Sequence, residues 1–471
     1  MNIRAWGSGT AAGAMLAGLV LAPLPYGSVL PWARSFLEIF SFLALGLVLA
    51  GGRRRGAFDG KRLTPLAWGM AFLVAGGLIQ ILPLPPGLLR LLSPGSAAVW
   101  AGKTPSGWAP ISVAPGLTAD NLLLLAAGCA LFWAAALFRP APGARPGNFP
   151  SLLIGAILTV GFVISVAGIA RHFSAPREIY GIREITRGAP FGPFVNRNHF
   201  AGYIEMIIPC GLILLFAPPS SRPQAFLRRL FRKFTSRDPR PILIAFMVTV
   251  MTWALLLSGS RGGIVSLAAA TGFLAACARR AGLLTSKNCS RIIIILLAGA
   301  VAFGVWFGWR RVGHRFQGIE GTPLRVRVWS DSLEAAGSFP LFGSGLGTFA
   351  EVFPSYQSFP FNYRFTHAEN DYVQMALEMG AWGTGGALWL LFFWYRAVFA
   401  GIRPGGGGPV LSTRRGFSIS PLGVLLGTSA GVTALLVHEL FNFNLHVPSN
   451  FILFCALAGL AAGAAGETSH E

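Results

Sequence analysis

Apolar runs of roughly 20 residues recur along the whole chain, separated by short polar stretches. A helix of that length is about as long as bilayer hydrocarbon is thick, so each run predicts a membrane-spanning helix. The runs fall at about residues 8–26, 33–52, 63–83, 118–138, 150–170, 198–217, 240–258, 261–278, 291–309, 374–396, 419–438 and 447–465, which makes about 12 transmembrane helices. The predicted class is all-α, a polytopic integral membrane protein. No repeat of fixed period and no half-to-half symmetry emerges. The opening "MNIRAWGSGTAAGAMLAGLVLAPL" resembles a signal peptide, but the rest of the chain is equally apolar, so an uncleaved first span is expected.

Composition supports the membrane class. Of the 471 residues, 53% are hydrophobic and 12% are charged, against about 25% charged in soluble domains. The net charge of +21 would suit a nucleic-acid binder. However, the basic residues lie between apolar runs and no nucleic-acid module is visible, so no nucleic-acid partner is expected. The five cysteines are scattered without a C-x-x-C pair, which predicts neither a disulfide framework nor a zinc site.

Lys/Arg bias orients the spans. "RRRGAFDGKR", "RPQAFLRRLFRKFTSRDPR", "RRAGLLTSKNCSR" and "RPGGGGPVLSTRR" all fall on one side, the cytoplasmic one, and both termini are then inside. The opposite side carries three long loops: 84–117, 171–197 and 310–373, the last between spans 9 and 10. These outer loops hold Arg171, Arg177, Arg183, Arg187, Arg197, Arg310, Arg311, Arg315, Arg325, Arg327 and Arg364. Long loops translocate regardless of charge, which is one reading. The other is an anion site, because guanidinium forks suit bidentate phosphate binding.

Four stretches at the outer membrane edge carry candidate chemistry. In "LLLSGSRGG", Arg261 starts a span among glycines. It either faces a polar cavity or snorkels from a tight helical hairpin. In "TPLRVRVWSDSLEAAGSFPLFGSGLGTF", residues 325–337 predict a helix ending before Pro340, with Arg325 and Trp329 on one face and Arg327 pointing elsewhere. "GSGLG" lacks a P-loop Lys-Ser/Thr and reads as a turn. "GAPFGPFVNRNHFAGYIEM" sets Asn196, Arg197, Asn198 and His199 before span six. "VHELFNFNLHVPSN" sets His438, Glu439, Asn442, Asn444 and His446 between spans eleven and twelve. His438 and His446 are eight apart with no third ligand indicated, so no metal is expected.

The stretch "THAENDYVQMALEMG", residues 366–380, is the most heavily ionisable. Asn370, Gln374 and Glu378 repeat at helical spacing. Thr366 and Glu369 have capping-box spacing, which offers Glu369 a purely structural role. Alternatively, Glu369 or His367 is a general base at the membrane surface. "FPSYQSFPFNYRF" either stacks sugars or packs the loop.

Taken in order, "GPFVNRNHFAGY", "SGSRGG", "RVRVWSDSLEAAGSFPLFGSGLGTF", "HAENDYVQMALEMGAWG" and "HELFNFNLHVPSN" resemble the O-antigen ligase and O-antigen polymerase family of bacterial membrane glycosyltransferases. The resemblance covers about residues 188–450. It implies a GT-C-type architecture in the inner membrane, with the active site facing the periplasm. Residues 1–187 would form N-terminal helices with outer loop 84–117, and 188–471 a ligase-like core containing outer loop 310–373. The implied donor is an undecaprenyl-diphosphate-linked glycan, and the acceptor is a glycan or a lipid A-core hydroxyl. Neither a cofactor nor a metal is implied. Arg261 and Arg325 would hold the diphosphate, with Arg197 and Arg327 as further candidates. Asn196, Asn198, His199, Asn370, His438, Asn444 and His446 are candidate substrate contacts. The family has His where this chain has Glu369, which leaves the base open between Glu369 and His367. A transporter or flippase of lipid-linked glycans is the alternative; Glu205 inside span six is the feature that suits it.

Overall fold

The computed structural model describes residues 3–50, 60–138, 148–174, 177–186, 188–216, 239–284, 322–360, 362, 364–403, 411–412 and 418–468. The predicted ninth span and Arg187, Arg310, Arg311 and Arg315 lie outside these residues. The helices are α1 (Ile3–Leu21), α2 (Pro31–Ala50), α3 (Gly60–Ile81), α4 (Pro86–Leu92), α5 (Pro94–Trp100), α6 (Pro115–Leu137), α7 (Asn148–Ser174), α8 (Arg197–Phe216), α9 (Arg240–Ser258), α10 (Arg261–Arg280), α11 (Thr322–Ser338), α12 (Phe349–Val352), α13 (Asp371–Gly401), α14 (Pro421–His438) and α15 (Pro448–Thr468). Among the described residues, strands are confined to three two-residue antiparallel pairs, one of them Pro83–Leu84 with Ala109–Pro110 in register Pro83↔Pro110.

The protein is an all-α, polytopic membrane protein. Among the described residues, nine helices are long and apolar enough to cross a bilayer: α2, α3, α6 to α10, α14 and α15. Helices α1 and α13 fill the places of the predicted first and tenth spans. The centre of the bundle is α8, α14 and α15, packed on one another and on α6 and α10. Close approach there rests on small residues: Gly431 of α14 lies against the main chain of Met206, and Gly459 of α15 against that of Phe132. One continuous apolar cluster runs from Ala11 to Ala465. Trp32, Trp68, Trp253, Leu388 and Phe392 remain exposed on the flanks, as lipid-facing positions do.

Helix α13 departs from the single span predicted for 374–396. It starts at Asp371 and breaks at Gly380, whose φ is 59° and ψ −155°. The break frees main-chain groups on both sides, and the "GSGLG" turn takes them up. Ser344 N–H donates to Leu377 O at 2.9 Å, Gly345 N–H to Glu378 O at 3.0 Å, and Ala381 N–H to Pro340 O at 2.9 Å. The first segment, Asp371–Met379, thereby becomes a short polar helix set on the end of the bundle.

The long loops fold over that same end. The 84–117 segment forms α4 and α5 and clasps the turn through Val113 N–H to Ser344 O at 2.9 Å. "FPSYQSFPFNYRF" turns out to pack the loop: Phe353, Phe359 and Phe365 are buried with Val328, Phe339, Phe349 and Leu377.

Candidate functional site

The end of the bundle under these loops collects the N-termini of α8, α10, α13 and α15 and the C-terminus of α14. At "LLLSGSRGG", Gly259 caps α9 in the left-handed region at φ 67°, and the Ser260 hydroxyl caps α10 by accepting from Gly263 N–H at 3.2 Å. This is a tight corner, and it leaves Arg261 exposed on the first turn of α10. Arg197, on the first turn of α8, brings its guanidinium to 3.6 Å from where a Cβ on Gly259 would stand.

Arg325 and Trp329 share one face of α11, as their spacing predicts, and both reach the segment before α13. Trp329 Nε1–H donates to Ala368 O at 2.9 Å. Arg325 donates through Nη2 to Glu369 Oε2 and through Nη1 to Phe441 O, both at 2.9 Å. Arg327 is exposed away from this pair.

The capping-box expectation fails. Helix α13 is capped by Asn370, whose side-chain oxygen accepts from both Tyr372 N–H and Val373 N–H. Asn outranks Thr as a cap, and one Asn370 oxygen satisfies two orphan donors here. Glu369 therefore stands outside the helix, at φ 58°. That conformation costs a residue with a Cβ about 1–3 kcal/mol and is held only when the surroundings demand it. Burial raises the Glu369 carboxyl above its ordinary pKa, Arg325 opposes the rise, and negative Asp371 adds to it. The side chain keeps 27% of its surface.

Residues 246–396, about a third of the chain, match the family model described as O-Antigen ligase. The chain carries the domain of the O-antigen ligase family. No curated protein matches it. The matched residues of the O-antigen ligase domain include Arg261, Arg325, His367 and Glu369. Asn196 to His199 and the 438–450 stretch lie outside the match.

Behind Glu369 lies an acid–base cluster shared between the matched residues and the loop that follows α14. His446, from the loop between α14 and α15, sets Nδ1 at 2.7 Å from Asp371 Oδ1 and Nε2 at 3.8 Å from Glu378 Oε2. Burial alone would lower its pKa, but the two carboxylates outweigh that and push it up to about 10. Asp371 is held below its ordinary value: burial works against ionisation, and the charge and hydrogen bond of His446 prevail. Glu439, buried next to Asp371, goes the other way, raised first by burial and then by the Asp371 charge. His367 stacks on Phe443 at 4.1 Å between ring centroids. Burial, with positive His446 beside it, lowers its pKa to about 4.

The remaining predicted contacts divide into two groups. Asn444 is buried; its N–H donates to Glu439 Oε2 at 2.8 Å, and its oxygen accepts from Asn450 Nδ2 at 3.2 Å. Asn196 turns the entry to α8 by accepting from Asn198 N–H at 2.9 Å. Both act in loop architecture. His199 stands edge-on to Phe443, and its Nε2 is buried without a hydrogen-bond partner among the described residues. His438 sets its Nδ1 3.0 Å from Glu205 Oε1, and both side chains are buried. The His438 ring also lies 2.7 Å from where a Cβ on Gly262 would stand, so this pair seats the turn that bears Arg261. Glu205→Leu, which leaves His438 Nδ1 without its partner, is expected to cost about 1–3 kcal/mol, read as a lower unfolding temperature in detergent. Glu205→Gln keeps an acceptor and is expected to cost less than half as much; equal losses would contradict this reading of the pair.

Sequence reasoning passed over Asp371, Gln374, Glu378 and Glu439 as site residues. A signal for them existed. The chain has only 17 acidic residues, and Glu205, Glu369, Asp371, Glu378 and Glu439 all come to this end of the bundle.

Proposed function

We propose that the protein is a membrane glycosyltransferase that moves a glycan from an undecaprenyl-diphosphate carrier to an acceptor hydroxyl at the outer face of the inner membrane. The observation that carries this reading is the Arg325–Glu369 pair: a cation for a departing diphosphate and a base for an incoming hydroxyl in contact, within the O-antigen ligase match. The outer-face placement is supported by charge. Helices α8, α10 and α13 run from the site to the opposite end, where Arg279, Arg280 and Arg403 lie and the Lys/Arg-rich loops attach. Arg280 Nε–H donates to Ile402 O at 3.1 Å, which joins two of those ends. Basic loops mark the cytoplasmic side.

In this mechanism the acceptor oxygen attacks the sugar C1 opposite the diphosphate. The C1–O bond to phosphate breaks, its electron pair leaves with the diphosphate, and the hydroxyl proton passes to Glu369. The anomeric centre inverts. Arg325 and Arg261, with Arg197 beside the same turn, stabilise the charge that develops on the leaving group. The resting ion pair gives the order of events: when the diphosphate takes Arg325, Glu369 loses the cation that lowers its pKa and becomes a stronger base.

Arg261→Ala and Arg325→Ala are each expected to slow transfer by about a hundred- to a thousand-fold in correctly inserted protein. Near-normal transfer by both variants would remove the mechanism. Translocation of the lipid-linked glycan across vesicles without consumption would support the transporter instead.

A further inference from the structure

The segment that joins α3 to α6 has two apolar faces. The inner one is filled: Leu89 and Leu92 of α4 pack with Ala109, Ile111 and Phe342. The outer one is not. Leu88 and Leu91, three apart on α4, share a face turned away from that cluster, and Leu91 is 77% exposed. Trp108, 52% exposed, stands beside them. Its neighbour Ala109 pairs with Leu84, and a Cβ on its other neighbour, Gly107, would lie 3.0 Å from Pro86, the first residue of α4. Leu82, also exposed, completes the patch.

Three observations say what covers this face. The first is depth. The inner side of α4 packs with Ile79, in the last turn of α3, and with Trp382 of α13, so α4 lies level with the ends of the spanning helices. The second is continuity. Leu78 is exposed on the flank of α3, and Leu82 follows it one helical turn later, so the lipid-facing surface of α3 runs on into the patch. The third is charge. Residues 82–119 contain Arg90 and Lys103 and no acidic residue, and both cations are exposed. Leucine and tryptophan with flanking cations are what the headgroup zone of an anionic bilayer takes up.

We infer that Leu82, Leu88, Leu91 and Trp108 form a foot that inserts into the bilayer interface at the site-bearing end of the bundle, with Arg90 and Lys103 reaching to lipid phosphates. The inference does not depend on the glycosyltransferase reading. It gives the outer loops a second support besides the bundle. Phe342, in the turn that follows α11, packs on the inner face of the same segment, and Val113 N–H donates to Ser344 O at 2.9 Å. That turn leads into the Gly347 and Phe349 N–H groups that hold the Glu378 carboxylate. Lipid on one side of the foot therefore bears, through one layer of side chains, on the wall of the site.

The test is a depth measurement on full-length protein in nanodiscs of phosphatidylglycerol and phosphatidylethanolamine. A nitroxide is attached at Leu88→Cys or Leu91→Cys, with unsubstituted protein as the labelling background. Power saturation then compares collisions with oxygen, which partitions into lipid, and with a water-soluble nickel chelate. Two exposed positions calibrate the scale: Leu388→Cys on the lipid flank of α13, and Ser330→Cys on α11 among exposed Arg327 and Glu334. The expected oxygen-to-nickel ratio at both foot positions lies near that of Leu388→Cys and at least about three-fold above that of Ser330→Cys. A ratio equal to that of Ser330→Cys would place the face in water and overturn the inference. Exclusion of both reagents would also overturn it, because a protein surface, such as a second copy of this chain, would then cover the face. The charge is tested by adding Arg90→Glu to Leu91→Cys. The ratio is expected to fall in the anionic nanodiscs and to hold in phosphatidylcholine ones; an equal ratio in the anionic nanodiscs with and without Arg90→Glu would remove the cation's part in the foot.

Discussion

Glu369→Gln is expected to slow glycan transfer by about a hundred- to ten-thousand-fold while leaving the fold and donor binding intact. The amide keeps the size of the side chain and an oxygen for Arg325 Nη2, so the 2.9 Å contact survives as a hydrogen bond from the guanidinium to a neutral acceptor. It cannot take a proton. Glu369→His, which installs the residue the family has at this position, is expected to recover much of the loss, because imidazole is a competent base near neutral pH. The pH profile has a definite sign. A carboxylate base works ionised, and burial raises this one above the ordinary range. Transfer should therefore fall as pH drops through the raised value, with the acid limb at higher pH than a free carboxylate would give. In Glu369→His the limb should move up again, toward the imidazole range. An unchanged acid limb would assign it to another group.

The second large effect is structural. Gly343→Ala is expected to release the outer loops from the bundle and abolish transfer. Gly343 sits at φ 76°, and a Cβ there would overlap the main chain of Glu378. The conformation alone costs about 1–3 kcal/mol, and the overlap cannot relax, because the opposing atoms are main chain held by the 340–347 turn. The same turn supplies Gly347 N–H at 2.7 Å and Phe349 N–H at 3.1 Å to the Glu378 carboxylate. Pushing it away strips a buried charge of its donors. The unfolding midpoint in detergent should drop by several degrees. Gly337→Ala is the matched comparison. It lies on the exposed face of α11 with open space around its Cβ position, and should be neutral or slightly stabilising. Equal effects at both positions would show that the turn does not anchor the loops.

The transmembrane helices were legible because lipid imposes a local rule: every 20 or so residues of apolar sequence must satisfy its own backbone. The Arg325–Trp329 face was legible for a similar reason, since four residues make one helical turn. The cap of α13 was not. Thr366 and Glu369 have cap spacing, and what decides for Asn370 is nonlocal: its Nδ2 donates to Leu440 O at 3.0 Å, 70 residues away. Glu378 shows the same limit. Its sequence context is an ordinary helix face, and its role comes from a turn 31 residues earlier that presents N–H groups to it. Gln80 is the extreme case, reaching from α3 to donate to Glu378 O at 2.7 Å. Scarcity was the usable clue, because an acidic side chain in so apolar a chain needs a partner or a task.

The most direct test of the central claim is to supply purified protein in detergent with an undecaprenyl-diphosphate-linked glycan and an acceptor glycan or lipid A core, and to follow free undecaprenyl diphosphate. Release of the lipid diphosphate in step with glycosylated acceptor, and its near-disappearance in Glu369→Gln, is the predicted result. Undiminished release by Glu369→Gln, or donor bound and never consumed by wild type, would contradict it.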